Sequence, residues 1–230
     1  MLSPCRICQS ENTETFSFGN TLLLRCNDCG IIFNNNFPDK ITVENYYKYN
    51  YSIDKTKDIN NPYILEEKRV KLLPEQYGLI SKIISFKNHP ARLLDIGCGF
   101  GFFIDEARRF GFDSYGVEPS VMALNYCHSI GLNVFDNIDK ISTKFDIITL
   151  FHSLEHFIDP KETIDKIKNI LTHDGFLFIR VPAFDCYWSK ILKSKWVWFQ
   201  PENHYFHYSL KSLQYLLALS NLKIIEINYQ

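Results

Sequence analysis

The sequence lacks any apolar run close to the roughly 20 residues that a membrane-spanning helix requires. Its first twenty residues also lack the apolar core of a secretory signal peptide, so we expect a cytoplasmic protein without a membrane partner. No long basic run is present and the net charge is only −1. Nucleic acid is therefore a disfavoured partner.

The 230 residues are instead rich in apolar and aromatic side chains, at 46% and 15% of the chain. Three regions differ in character. Residues 1–37 hold paired cysteines, residues 38–90 form a Tyr-rich and then helical connecting segment, and residues 91–230 alternate strand and helix patterns. This alternation predicts an α/β core with a doubly wound, mostly parallel sheet.

Six strand patterns occur in residues 91–230, and the last of them is "LKIIEIN" at residues 222–228. We expect this sixth strand at an edge of the sheet. An open edge leaves backbone N–H and C=O groups unpaired, so it would allow pairing with a second copy as a homo-oligomer.

Two Cys-x-x-Cys pairs lie near the amino terminus, Cys5 with Cys8 and Cys26 with Cys29. In a reducing cytosol this spacing predicts metal ligation instead of disulfides. Four thiolates can hold one tetrahedral Zn²⁺, and a closed sulfur shell leaves no open position for catalysis. The prediction is a structural zinc ribbon over residues 1–37, and the alternative is four unconnected thiols.

A glycine-rich turn follows the first core strand, in "LLDIGCGFGFF". The glycines have the spacing G-x-G-x-G, and Phe102 occupies the position where a dinucleotide-binding turn needs its third glycine. Asp95 precedes the turn, where a carboxylate would repel a phosphate. The turn therefore fits a cofactor that carries an amine and a sulfonium.

Three segments in this order, "LLDIGCGFGFF", "YGVEPS" and "FDIITLFHSLEHFIDP", resemble class I S-adenosylmethionine (SAM)-dependent methyltransferases. The resemblance covers residues 91–228. It implies that Glu118 accepts the ribose hydroxyls, that residues 137–138 flank the adenine, and that residues 151–152 line the methyl-transfer face. The implied cofactor-binding residues are Asp95, Gly97, Gly99, Gly101, Glu118, Asn137, Ile138 and Phe151. Alternatively, Ile138 and Phe151 are core residues and Glu118 only precedes a helix.

The cysteine pairs, the Tyr-rich segment and this core together resemble zinc-containing sugar methyltransferases, including C-methyltransferases of deoxysugar nucleotides. That resemblance implies a sugar-like acceptor and a role in carbohydrate biosynthesis, with "HSLEH" and "NHYFHYS" bordering the acceptor. The family often has Glu where this chain has Asn203, which disfavours C-methylation and is compatible with O-methylation. The alternatives are an RNA methyltransferase, for which Lys190, Lys193 and Lys195 could supply a basic patch, and a SAM-binding protein without activity.

The candidate general bases are His204 first, His156 in reserve, and His152. A neutral imidazole suits proton removal from an alcohol near pH 7. Trp196 and Trp198 are open to three interpretations: an acceptor wall, a lid, or packing against the ribbon.

Overall fold

The computed structural model describes residues 2–50, 62–87 and 90–229. Strands in these residues form two sheets, one of five strands and one of four. The strands are β1 (Thr13–Phe18), β2 (Thr21–Cys26), β3 (Ile32–Phe33), β4 (Arg92–Ile96), β5 (Asp113–Val117), β6 (Asn133–Phe135), β7 (Phe145–Phe151), β8 (Leu171–Arg180) and β9 (Phe206–His207).

Seven α-helices lie in the described part of the chain, together with short 3₁₀ and π segments. They are α1 (Lys40–Asn45), α2 (Pro62–Phe86), α3 (Phe102–Arg109), α4 (Val121–Ser129), α5 (Pro160–Ile170), α6 (Tyr187–Leu192) and α7 (Leu210–Leu219). None of the helices within the described ranges is long and apolar enough to cross a bilayer.

The chain divides into two compact units. One unit comprises the residues up to Pro38, His152–Lys168 and the chain from Arg180 onward. The other comprises Asp39–Phe151 and Asn169–Ile179. We call them the ribbon unit and the sheet unit. The three domain boundaries predicted from the sequence stay a prediction.

The sheet unit holds the five-stranded sheet, in the order β6-β5-β4-β7-β8. β4 pairs in parallel with β5 on one side and β7 on the other, and β5 pairs in parallel with β6. Side chains from α2, α3 and the strands fill its core, including the fully buried Ile83, Leu93, Ile104 and Ile147. The predicted α/β fold with a mostly parallel sheet is confirmed. Because the chain leaves β4 toward β5 and later returns to β7, the switch point of strand order lies at the carboxyl end of β4.

The predicted sixth strand is wrong. Residues 222–229 form no strand in the structure, and Ile225 and Tyr229 are about two-thirds exposed. The alternating pattern of "LKIIEIN" expresses β-propensity, but propensity makes a strand only where a neighbouring edge and a buried face stabilise it. The sheet that the structure describes therefore has five strands.

The ribbon unit holds the four-stranded sheet, in the order β1-β2-β3-β9. β1 and β2 form an antiparallel hairpin, and β3 pairs antiparallel with both β2 and β9. Beneath this sheet, Phe18 and Leu23 pack with Phe184, Trp196 and Phe199. Residues far apart in sequence thus share one core, so the segment with the paired cysteines does not build its core alone.

Candidate functional site

The glycine turn connects β4 to α3 at the switch point. Gly97, Gly99 and Gly101 have φ angles of +82°, +53° and +72°, in the left-handed region that L-residues with a Cβ seldom adopt. A Cβ on Gly101 would lie 2.6 Å from Leu132 Cδ1 and 2.9 Å from Cys127 Sγ. A Cβ on Gly99 would meet no atom within 4 Å. Gly101 is thus required by packing, while Gly99 borders open space that a ligand can enter.

Two buried carboxylates flank this turn. Glu118, at the end of β5, accepts the backbone N–H of Gly99 at 2.8 Å with Oε2 and that of Ser120 at 2.8 Å with Oε1. Asp95 accepts the hydroxyl of Thr149 at 2.6 Å. Burial raises the pKa of Glu118, and burial together with the charge of Glu118 raises the pKa of Asp95 to about 7. Both shifts indicate a site whose negative charge lacks a cationic partner within the described chain.

Three further predicted cofactor residues of the sheet unit, Asn137, Ile138 and Phe151, differ in burial and contacts. Asn137 is exposed, and its side chain accepts the backbone N–H of Asp139 at the start of a short 3₁₀ turn. Ile138 is half-buried. Phe151 is also half-buried and packs edge-on against Phe103, with ring centroids 5.1 Å apart. Phe151 therefore contributes to the core, and a cofactor role for these three residues stays a prediction.

The four predicted cysteine ligands come together in the ribbon unit. Their Sγ atoms all lie within 4.8 Å of one another, with Cys5–Cys29 at 3.6 Å and Cys8–Cys26 at 3.5 Å. A tetrahedral zinc with bonds of 2.3 Å would separate its sulfurs by about 3.8 Å. The alternative of four unconnected thiols is wrong, and the donor set fits a structural zinc ion.

His156 and His204 also come together in the ribbon unit, beside Glu155. The ring centroids of the two histidines are 4.8 Å apart. One ring nitrogen of each histidine and one carboxylate oxygen of Glu155 all lie within 4.8 Å of one another. Nδ1 of His156 is 2.8 Å from Asn203 O, and Nδ1 of His204 is 2.9 Å from Trp198 O. A carbonyl can only accept, so both Nδ1 atoms are protonated. In its neutral form each ring therefore carries its lone pair on Nε2.

Glu155 is the residue that sequence reasoning missed. Its side chain is buried, and neither carboxylate oxygen has a hydrogen-bond partner among the described residues. The hydroxyl of Tyr208 is also buried without a partner there, and burial together with the charge of Glu155 raises the pKa of Tyr208. A charged residue inside the apolar "LEHF" segment was the available signal. Buried polar atoms left unpaired in this way point to a missing ligand or proton.

His152 has a strained backbone, with φ +54°. Its N–H donates to Arg180 O at 2.8 Å, its ring stacks on Trp198 at 4.7 Å, and its Nδ1 lies 3.8 Å from Glu155 Oε1. A left-handed conformation at a non-glycine residue costs of order 1–3 kcal/mol and is concentrated at functional sites. His152 thus joins the group of Glu155, His156 and His204, which we call the histidine cluster.

The surroundings of His207, Trp196 and Trp198 differ. His207 is buried between the rings of Phe184 and Phe199, and burial lowers its pKa to about 3. Trp196 is buried in the core beneath the four-stranded sheet, which supports its packing against the ribbon. Trp198 is instead partly exposed and stacks on His152.

The parallel sheet, the glycine turn at its switch point and the acidic residue ending the next strand define a nucleoside-binding α/β domain. A family model described as a methyltransferase domain matches residues 67–227. The chain therefore belongs to this methyltransferase family.

Curated relatives match a shorter part of the chain. It is 25% identical over 138 residues to the ubiquinone biosynthesis O-methyltransferase of Colwellia psychrerythraea, covering 54% of this chain and 56% of that protein. It is 31% identical over 98 residues to the protein of the same name from Paraburkholderia phymatum, covering 38% and 42%. The chain thus spans about half the length of the curated relatives it matches.

Solved structures share the fold. A SAM-dependent methyltransferase from Archaeoglobus fulgidus has a TM-score of 0.55 at 19% identity, covering 70% of this chain and 74% of that one. The plantazolicin methyltransferase BpumL, in complex with SAH, has a TM-score of 0.57 at 18% identity, covering 77% and 72%. At these identities the likeness is one of fold alone.

Gly101→Ala is expected to destabilise the protein more than Gly131→Ala. Both glycines have φ near +70°, but a Cβ on Gly131 would meet no atom within 4 Å. Gly131→Ala should cost only the left-handed strain, of order 1–2 kcal/mol, whereas Gly101→Ala adds an overpacking cost of about 1–3 kcal/mol. Urea unfolding measures the free energy of unfolding of both variants. Equal losses of stability in the two would contradict the steric role of Gly101.

Proposed function

We propose that this protein is a SAM-dependent methyltransferase that methylates a hydroxyl of a small acceptor, a sugar or nucleotide sugar. Family membership supports the reaction class. The observation that carries the cofactor assignment is the pair of buried carboxylates, Asp95 and Glu118, on either side of a glycine turn with open space at Gly99. The sulfonium and ammonium groups of SAM would supply the positive charge that this site lacks.

In this proposal Asp95 and the glycine turn hold the methionine end of SAM, and Glu118 holds the ribose. Each Glu118 oxygen already accepts one backbone N–H. A carboxylate oxygen has two lone pairs, so each can accept a ribose hydroxyl as well. Asn137 and Ile138 would flank the adenine, and Phe151 would line the methyl-transfer face.

Support for the acceptor is of two kinds. The curated relatives are named O-methyltransferases, which favours a hydroxyl. The resemblance of the cysteine pairs and the "HSLEH" and "NHYFHYS" segments to sugar methyltransferases favours a sugar. The net charge of −1 disfavours RNA.

Bound SAM supplies a methyl group that its sulfonium has already activated. The protein then has two tasks, alignment of the acceptor oxygen and removal of its proton. Alignment can contribute ~7–11 kcal/mol to lowering the barrier, while a general base typically contributes ~10²–10⁴-fold in rate. Loss of the base should therefore slow turnover without abolishing it.

We assign His204 as the base. Burial and the neighbouring His156 lower its pKa to about 4, so the ring is neutral at pH 7 and its Nε2 is free of a proton. In this assignment Nε2 would take the proton of the acceptor hydroxyl while the bound cofactor supplies the methyl group, so the products would be the methyl ether and the demethylated cofactor. The buried Glu155 carboxylate stabilises the resulting imidazolium, since its charge raises the His204 pKa.

A turnover assay tests the proposed function. Purified protein is given SAM with nucleotide sugars, catechols or RNA, and formation of the demethylated cofactor is followed. Turnover with a nucleotide sugar supports the acceptor class. Turnover only with catechols or only with RNA would refute the sugar acceptor and assign that class of acceptor instead. Tight SAM binding without turnover on any of them would indicate a non-catalytic protein.

SAM affinity should rise about fivefold from pH 6 to pH 7. With its pKa raised to about 7, Asp95 is about one-tenth ionised at pH 6 and about half ionised at pH 7, and only the ionised form attracts a cation, while an α-amino group stays mostly protonated over this range. Calorimetry at both pH values measures this change. Asp95→Asn should bind SAM weakly with little pH dependence, whereas a pH-independent affinity of the unaltered protein would refute the assignment.

His204→Gln should lower kcat by ~10²–10⁴-fold at saturating SAM, with SAM affinity nearly unchanged. Because the His204 pKa lies near 4, kcat of the unaltered protein should be flat from pH 8 to pH 6 and fall only as the pH approaches 4. Glu155→Gln should cause a smaller loss, and the exposed His173→Gln serves as the control. Near-normal kcat in His204→Gln would make His204 structural and His156 or His152 the next candidate.

The cysteine cluster is proposed to hold one structural Zn²⁺ per chain. Cys26→Ser should reduce the zinc content to near zero and increase amide hydrogen exchange in β1–β3 and β9, because one sheet contains all four strands. Strands β4–β7 should stay protected. Cys186→Ser alters a thiol outside the cluster, so it should retain zinc, and a metal-free protein with protected β1–β3 would argue against this role.

A further inference from the structure

Residues 187–198 carry an unusual concentration of exposed apolar side chains. Six large ones lie within these twelve residues, each with 40% to 71% of its surface exposed. They are Tyr187, Trp188, Ile191, Leu192, Val197 and Trp198. We call these six residues, together with Lys190, Lys193 and Lys195, the aromatic–basic patch.

The orientation of α6 is the reverse of an ordinary surface helix. Tyr187 and Ile191 are four residues apart, as are Trp188 and Leu192, so the four form one helix face. That face is exposed, whereas the small polar Ser189 on the other side is fully buried. A helix with an apolar face normally turns that face to the core.

The exposure is fixed by anchors on the inner side. The Ser189 hydroxyl bonds to the carbonyls of Phe184 and Cys186, and the Ser189 N–H donates to Cys186 Sγ at 3.4 Å. Trp196 and Phe199 are buried in the aromatic core of the ribbon unit. The segment therefore cannot turn its apolar face inward without breaking these contacts.

The charge of the patch is opposite to that of the chain. Lys190, Lys193 and Lys195 are exposed, and residues 187–198 contain no acidic side chain. The whole chain has a net charge of −1. A local charge of +3 among apolar groups favours a partner with both an anionic surface and an apolar interior.

A second copy of this chain fits the patch poorly, because a twofold contact places the same surface against itself and brings the lysines together. A nucleic acid would match the lysines but leave Ile191, Leu192 and Val197 in water. A bilayer satisfies both sets, since Trp and Tyr favour the headgroup level, aliphatic side chains enter the acyl boundary and lysines attract anionic headgroups.

We propose that residues 187–198 dock the protein on the surface of an anionic lipid bilayer. This docking does not depend on the reaction proposed above. The absence of a membrane-spanning run in the sequence excludes only crossing the bilayer, and a helix that lies in the interface needs no such run.

Co-sedimentation with vesicles tests the proposal, using phosphatidylcholine alone and phosphatidylcholine with phosphatidylglycerol. The unaltered protein should bind the anionic vesicles more strongly, and the advantage should shrink at high salt. Changing Lys190, Lys193 and Lys195 to Gln should weaken anionic binding by about fivefold for each lysine. Trp188→Ser with Ile191→Ser should abolish binding, and brominated lipid should quench the Trp fluorescence of the unaltered protein.

The matched control is Ile225→Ser with Ile227→Ser, which alters exposed apolar residues elsewhere in the ribbon unit. It should bind as the unaltered protein does, and circular dichroism checks that every variant is folded. Equal binding by the patch variant and this control would overturn the proposal, as would failure to bind anionic vesicles. A dimer in sedimentation velocity that Trp188→Ser with Ile191→Ser dissociates would assign the patch to self-association instead.

Discussion

The carboxylate of Glu118 is the interaction on which the cofactor site depends. One oxygen accepts the N–H of Gly99 and the other accepts that of Ser120, so a single side chain ties the glycine turn to the start of α4. These two hydrogen bonds fix the backbone of the turn at the carboxyl ends of β4 and β5. The carboxylate also buries negative charge there, which gives the site a preference for a cationic ligand.

The close approach of the glycine turn to β5 depends on a second residue, Gly116. A Cβ on Gly116 would lie 2.5 Å from Cys98 Sγ, so the turn can sit against β5 only because position 116 is glycine. Buried Asp95 lies in this crowded region with Thr149 as its hydrogen-bond donor. Low dielectric and a neighbouring carboxylate then raise its pKa to about 7, which makes the charge of the site depend on pH near neutrality.

The ribbon unit brings together residues from three separate parts of the chain. β9 completes the sheet begun by β1–β3, and the loop before β9 supplies both the aromatic core and His204. The same loop exposes the aromatic–basic patch. Packing of Trp196 and Phe199 therefore positions a buried histidine on one side and an apolar helix face on the other, so a change in this core should affect both.

The sequence by itself determined the order of the core elements and the glycine turn with Asp95 and Glu118. It also determined the two Cys-x-x-Cys motifs. Each of these depends on local periodicity or short spacing. It failed at "LKIIEIN", where a strand pattern meets no sheet partner. Only the tertiary structure decided which histidines meet, that Glu155 is buried without a hydrogen-bond partner among the described residues, and that α6 turns its apolar face outward. Each of these is a burial or contact between distant segments, which local patterns do not encode.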